Sequence, residues 1–522
     1  MTAHEPNRPR PLLNDVRLPL SRWFDKQTAT LLFIFILFYF FRLASFSLSI
    51  DDEFGAVRSS PDVWLVQGRW AVYLLERFVV GRQVLPFFPF IVFGGCLALS
   101  YRLLLETFGV ERLGKIDYLT FTLYAGYPLW IFPLSFFSNT MAFGLGLLFA
   151  TMAVRDVRVV LSLRDTDATI QRALAPVLRA AFFGAIAIGM YQSFVFVVAS
   201  VSLGLIVVDT LRENAGWKSV IVRCAWVGAC VVLGILVYET MQLMLLVLTH
   251  LGGERYVANF LNWNALRVDP WHVVWIVIVR GLQTYGGLAD VFGATLASFA
   301  VVVALGFASI LFWPSRSWRS RIIAALLTAF LAALPFVLHL AAGGDLPART
   351  LVAVPAVMWL LGRLGSASPR RALALASVCA IAVAAVQSLY AMNLLQTANE
   401  FARKHDEALA AAVYARIAAV DPGAKNGTTV DIYGEQPFDS LYPRPTPATM
   451  GYSFFEWDGG NIYRITAYMH LLGYPEFAVA GQQQRRLDDA VFRDMPSWPA
   501  SGSVRTFNGV ILIKLGTNPS LR

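Results

Sequence analysis

The sequence predicts a polytopic α-helical membrane protein with a small mixed α/β segment at its C-terminus. Composition is the first reason: of 522 residues, 57% are hydrophobic and only 15% charged, with a mean hydropathy of +0.57. A soluble domain carries about a quarter charged residues. The second reason is the recurrence of apolar stretches near the length of a bilayer crossing. The third is the placement of lysine and arginine, which fall in short clusters between those stretches as orientation signals do. The formal charge of +9 therefore belongs to loops, and a nucleic-acid partner is excluded.

A crossing needs about 20 mostly apolar residues, and by that measure about eleven stretches qualify. In order they are 29–48, 84–106, 117–137, 139–154, 176–190, 193–210, 222–248, 288–313, 322–340, 350–364 and 372–390. Pro128, Pro133, Pro335 and Pro355 interrupt several of them. Ahead of the first stands a tail, residues 1–28, with Arg8, Arg10, Arg17, Arg22 and Lys26 but no cleavable-leader pattern, so the first span is expected to be retained. An odd count puts the termini on opposite sides. The basic clusters, such as Arg363/Arg370/Arg371, fall on the tail's side, which the positive-inside rule makes cytoplasmic. The cysteines, Cys96, Cys224, Cys230 and Cys379, lie in apolar runs and form neither a metal pattern nor a disulfide framework.

Two outward segments are apolar without spanning. One runs from Ser60-Pro61-Asp62 through Trp64, Arg69, Trp70 and Glu76, a cap-then-proline start with a polar residue every seven positions. The other runs from Asp269-Pro270-Trp271 to Tyr285. Both read as helices in the outer interface with tryptophans at headgroup level. The membrane region thus covers 29–390, and 391–522 forms an extracytoplasmic segment. Its Asn399–Ala419 stretch reads as an amphipathic helix, with strand-like runs at Thr428–Tyr433 and Val510–Leu515.

Functional groups gather on the outward side. The acids Asp51-Asp52-Glu53 follow the first span directly, and since a carboxylate in hydrocarbon costs roughly 3 kcal/mol or more, they end it. The same side carries Arg69, Arg255, Arg267, Arg280 and the loop Gly343-Gly344-Asp345-Leu346-Pro347-Ala348-Arg349, while Arg42 and Glu239 lie within outer halves of spans. Ionisable residues at that depth are candidates for function, although Arg42 could snorkel to the headgroups and Glu239, with Tyr238 and Gln242, could be an interhelical contact. Acids and arginines at an external membrane surface suit glycosyl transfer from a lipid-linked sugar. An acid serves as general base for the acceptor hydroxyl, and arginines receive the departing phosphate. Base and phosphate on opposite faces of the sugar give inversion, by analogy with inverting hydrolases. Paired acids could also hold Mg²⁺ or Mn²⁺, but a phosphate leaving group flanked by arginines does not require one, and no cofactor is expected.

Several motifs add a resemblance. Asp51-Asp52-Glu53 followed by Gln67-Gly68-Arg69-Trp70, Tyr191-Gln192 at a tight turn, and Gly451 to Asn461 (GYSFFEWDGGN) with Arg464 resemble the serotype-converting O-antigen glucosyltransferases of bacteria and their phages. That family belongs to the GT-C superclass of multispanning glycosyltransferases. The resemblance implies a GT-C-like fold in the bacterial inner membrane, with glucose moved from undecaprenyl-phosphate-glucose to O-antigen in the periplasm. It implies that Asp51 or Asp52 is the base, with Glu53 as neighbour and Asp52 favoured. Arg69, Arg349, Arg280, Arg255 and Arg42 are candidates for the donor phosphate. Trp70, Tyr191, Gln192, Glu239, Trp457, Asp458, Asn461 and Arg464 are candidates for substrate contact. The competing expectations are a transporter of lipid-linked sugars, which would favour internal repeats and charges at the midplane, and a related enzyme using arabinose, mannose or galactose, or a lipid acceptor.

Overall fold

The computed structural model describes residues 25–81, 84–163, 170–253, 258–314, 317–344, 346–445 and 448–518. The tail's arginines, Arg255, Arg316 and Asp345 lie outside the described residues. The first span is α1 (Lys26–Ala44), capped by Asp25, whose carboxylate accepts from the Thr28 amide. It ends in an extended stretch that leads to the short helix α2 (Asp52–Val57). Next come α3 (Asp62–Val66) and α4 (Trp70–Leu75), then the long helix α5 (Phe88–Thr107). The third crossing is broken: α6 (Lys115–Ala125) gives way at Gly126 and Pro128 to a 3-10 turn and α7 (Ile131–Leu134). Four long helices follow, α8 (Phe137–Leu163), α9 (Ile170–Met190), α10 (Phe194–Glu213) and α11 (Trp217–Thr249).

The second half is more fragmented. It holds α12 (Trp263–Val268), α13 (Pro270–Gly286), α14 (Ala289–Phe292), α15 (Ser298–Leu311), α16 (Trp318–Ala333), α17 (Val337–Ala341) and α18 (Val354–Ser366). Then comes α19 (Arg371–Val420), 50 residues long. Among the described residues, eight helices are long and apolar enough to cross a membrane. The expected stretches 117–137, 288–313 and 350–364 correspond to shorter helices, of 11, 14 and 13 residues.

Two expectations are corrected. The segment after Ser60 is not one interfacial helix. Gly68 takes φ +79°, a conformation open to glycine, and breaks it between α3 and α4; Trp64 and Trp70 are buried against Ile188 and Tyr238 rather than placed at a surface. The stretch Asn399–Ala419 is not a separate helix either. No glycine or proline interrupts residues 371–420, so the last span continues as α19, burying Ala402, Asp406, Leu409, Val413 and Ile417. By contrast α13 begins as its sequence indicates, with Asp269 accepting from the His272 amide and proline at the first helical position.

Helix-end ion pairs fix the alternation of directions. Asp25 at the start of α1 meets Arg102 near the end of α5, and Asp117 in the first turn of α6 meets Arg363 of α18. Asp156 and Arg158 of α8 pair with Arg179 of α9 and Asp209 of α10, and Arg223 of α11 reaches Asp209 and Glu213. All of these lie at the end of the bundle where α1 starts. The acid triplet lies where α1 finishes, at the opposite end.

Residues 429–514 add a four-stranded sheet in the order β2-β1-β4-β3. Its strands are β1 (Thr429–Tyr433), β2 (Ala478–Val479), β3 (Val504–Phe507) and β4 (Val510–Lys514); β1 runs parallel to β2 and β4, while β3 is antiparallel to β4. The turn α20 (Trp457–Gly460) and helices α21 (Ile462–Leu471) and α22 (Gln482–Asp494) complete it. Ile50, next to the acids, is fully buried in the same apolar cluster as Phe454, Phe455, Ile462 and the sheet. Burying such a side chain stabilises by about 2–3 kcal/mol, so the first loop is anchored to the C-terminal segment by packing as well as charge.

Candidate functional site

The three acids have three different fates. Asp51 takes the left-handed conformation, φ 86° and ψ −19°, at the N-cap of α2, a region that costs a non-glycine residue about 1–2 kcal/mol. That twist separates it from its neighbour. Its carboxylate is 45% exposed and lines a chamber of about 560 Å³. Asp52 points the other way and is fully buried: its carboxylate accepts from the backbone amides of Ser49 (3.1 Å) and Ser138 (3.3 Å) and ties the loop to α8. Burial pushes its pKa up to about 6, against the lowering pull of those amides and of Arg42. Asp52 does not line the chamber. Glu53, also fully buried, is pushed up to about 7 by burial, and Arg464 opposes that shift.

Arg464 gathers these carboxylates. From α21 its Nη1 reaches Asp51 Oδ1 (2.9 Å) and Glu53 Oε1 (2.5 Å), and its Nε donates to Asp458 Oδ2 (2.8 Å). The guanidinium lies 4.8 Å over the Phe54 ring, and the three carboxylates hold it firmly protonated. Local sequence explains its position. Asp458 and Gly459 adopt left-handed turns, and Asn461 caps α21 by accepting from the Tyr463 amide (3.0 Å). Trp457 packs edge-on against Tyr452. Among the described residues, no group of three or more His, Cys, Asp or Glu has the arrangement of a metal site; the cation among these acids is Arg464.

Arg69 and Arg349 line the same chamber. Arg69 is buried, donates to Asn139 Oδ1 (3.2 Å) and lies over the rings of Trp64 (5.3 Å) and Tyr191 (4.9 Å). Three side chains hold the backbone that delivers it: Gln192 Nε2 donates to Gln67 O, Tyr238 Oη to Gly68 O and Gln242 Nε2 to Leu65 O, at 2.7–2.9 Å. A Cβ on Gly68 would come within 2.7 Å of the Tyr238 hydroxyl, so glycine there meets both the φ and the close approach. Arg349, on a 3-10 turn, lies 5.2 Å over Phe136. Arg58 also lines the chamber, bound to Glu76 (2.5 Å) and stacked over Trp64. Its partner stands 18 residues away, a spacing that carries no local sequence signal.

Next to the chamber is an apolar cavity of about 290 Å³. Arg69, Tyr191 and Arg349 line both, so they form the shared wall. Glu239, exposed on α11, lines only the apolar one, as does Gln192.

Other expected site residues fall elsewhere. Trp70 is buried under Gly189, where a Cβ would come within 2.6 Å of the indole, and it supports the helix packing without reaching the chamber. Arg42 neither snorkels nor faces the chamber. It is buried, donates to Ser47 O (2.6 Å) and Ser135 O (2.5 Å), and covers the Phe137 ring. Arg280 lines a separate groove beside Asp290.

Membrane-length helices with a chamber lined by a carboxylate and several guanidiniums at one end make this a polytopic membrane protein with its polar site at the bundle's margin. The model of the glucosyl transferase GtrII family matches residues 40–364. The chain belongs to that family, and it is a glycosyltransferase. The matched stretch includes the acids, Arg69, Tyr191 and Arg349, while Asp458 and Arg464 lie beyond it. No curated protein and no solved structure matches the chain.

Proposed function

We propose that this glycosyltransferase moves a hexose, glucose in the family's own chemistry, from a polyprenyl-phosphate donor to a glycan acceptor by direct displacement. Asp51 takes the proton of the acceptor hydroxyl as its oxygen attacks the anomeric carbon. The bond from that carbon to the phosphate oxygen breaks on the opposite face, and the lipid phosphate leaves with its electron pair towards Arg69 and Arg349. Charge-assisted bonds from guanidinium groups strengthen as negative charge grows on the leaving oxygen. The sugar is inverted. Tyr191 and Asn139 are placed to contact the sugar, and the cavity behind the arginines takes the first prenyl units. Arg464 is a positioning residue: it holds Asp51 in its twisted backbone and keeps Glu53 beside it.

The observation that carries this reading is the shared wall. A carboxylate and two arginines line one polar chamber, and the same arginines border an apolar cavity. A lipid phosphate sugar is polar, anionic and apolar in that order. Membership in a glucosyl transferase family favours an enzyme over a transporter. The basic clusters favour a cytoplasmic N-terminal tail (1–28), a membrane region (29–390) and a periplasmic C-terminal segment (391–522) in a bacterial inner membrane. Two arginines at the leaving group remove the need for a divalent cation.

The test is incubation of the purified protein with a panel of polyprenyl-phosphate sugars, with and without EDTA, followed by assay of released polyprenyl phosphate. One sugar should support release in both conditions. Release from no donor would overturn the donor assignment, and loss with EDTA would overturn the metal-free mechanism.

A further inference from the structure

A third recess opens beside α13, distinct from the chamber and its apolar neighbour. It has about 820 Å³ and lies between the face of α13 carrying His272, Trp275 and Gln283 and the loop Pro443-Arg444-Pro445. We propose that it is a saccharide-binding groove holding the neutral, polyhydroxylated stem of the acceptor glycan; the inference rests on the glycosyl-transfer reading above.

Three features support a sugar. Trp275 is 63% exposed and offers an indole face to the apolar side of a pyranose ring. Gln283 Nε2 donates to Asp290 Oδ2 (2.9 Å), which fixes the two side chains together and presents their remaining oxygens to neighbouring hydroxyls. The charges are balanced. Arg444 is taken up by both carboxylate oxygens of Glu456 (2.9 and 3.0 Å), and Arg280 shares the groove's lining with the carboxylate of Asp290.

The groove also leads somewhere. Its loop wall packs tightly on the bundle, since a Cβ on Gly293 (φ +70°) would come within 2.5 Å of Pro443. From that loop the chain passes to Glu456, the partner of Arg444, then to Asp458, which holds Arg464 against Asp51. Groove wall and chamber rim are thus one stretch of chain.

The experiment uses the full chain in nanodiscs, with Trp275→Ala and Gln283→Ala. Acceptor KM should rise about tenfold in each, the scale of one lost stacking or hydrogen-bonding contact, with donor KM moving less than twofold. Saturation-transfer NMR with a short neutral oligosaccharide should give contacts in the wild type that Trp275→Ala loses. This arm needs no turnover, so it survives failure of the donor assignment. Unchanged acceptor KM in both variants would overturn the groove. So would equal oligosaccharide contacts in wild type and variant, or displacement of the sugar by anionic phospholipid headgroups.

Discussion

Replacing Arg464 by methionine tests whether the C-terminal segment is part of the site. The substitution keeps the apolar stem over Phe54 and removes the guanidinium that contacts Asp51, Glu53 and Asp458. Among the described residues Glu53 has no other side-chain partner to turn to: it is fully buried and its Oε2 finds no hydrogen-bond donor. Removing one member of a buried pair costs about 3–5 kcal/mol, because the other charge is left uncompensated. Glu53 can escape part of that by keeping its proton, as its pKa is already about 7. The loss should therefore be smaller at acid pH and larger above neutrality. Turnover should fall about a hundredfold, largely in kcat, because Asp51 loses its orientation while Arg69 and Arg349 are untouched. The assay is a double-mutant cycle of Arg464→Met and Glu53→Gln, read by melting midpoint and by transfer rate. Coupling of about 1–3 kcal/mol is expected for a contacting pair, with partial recovery in Arg464→Lys. Additive effects, or turnover within twofold of wild type, would refute the reasoning.

Asp51→Asn should lower turnover by roughly 10²–10⁴, the usual share of a general base, with little change in melting midpoint; full activity would remove Asp51 from the mechanism. Asp52→Asn should act on stability instead. The folded protein holds the Asp52 proton up to about pH 6, against 3.8 for an ordinary aspartate, so the folded state is favoured below the ordinary value and loses that advantage as pH rises through about 6. Two units correspond to about 3 kcal/mol, and the wild-type midpoint should drop between about pH 4 and pH 6, the interval between the two values, more steeply than that of Asp52→Asn and level off above it; parallel slopes would contradict this. Arg69→Ala and Arg349→Ala should each weaken donor use by roughly 10- to 100-fold, the value of a hydrogen bond to a charged group. Unaltered donor kinetics in both would move the phosphate elsewhere.

Much of this architecture is legible in the sequence, because apolar length, basic clusters and proline placement are local signals. The acids mark the end of the first span, and the cap at Asp269-Pro270 starts α13 where expected. The site is legible only as a set of residue types. Nothing in Asp51-Asp52-Glu53 tells which carboxylate faces the chamber, since a single left-handed φ at Asp51 decides it. The Glu53–Arg464 contact joins positions 411 residues apart, beyond any spacing argument. Gln192, Tyr238 and Gln242 bind backbone carbonyls, and a carbonyl has no letter in a sequence. Arg42 and Trp70 stand out in the sequence as a charge and an aromatic at membrane depth, and the structure buries both away from the chamber.

The most direct test of direct displacement is the configuration at the transferred anomeric carbon, read by proton NMR on product made by the purified protein from a donor of known configuration. An acceptor hydroxyl deprotonated by Asp51, facing a phosphate that departs towards Arg69 and Arg349, predicts complete inversion. Retention would contradict the account, since it requires a second displacement for which Asp51 alone provides no route.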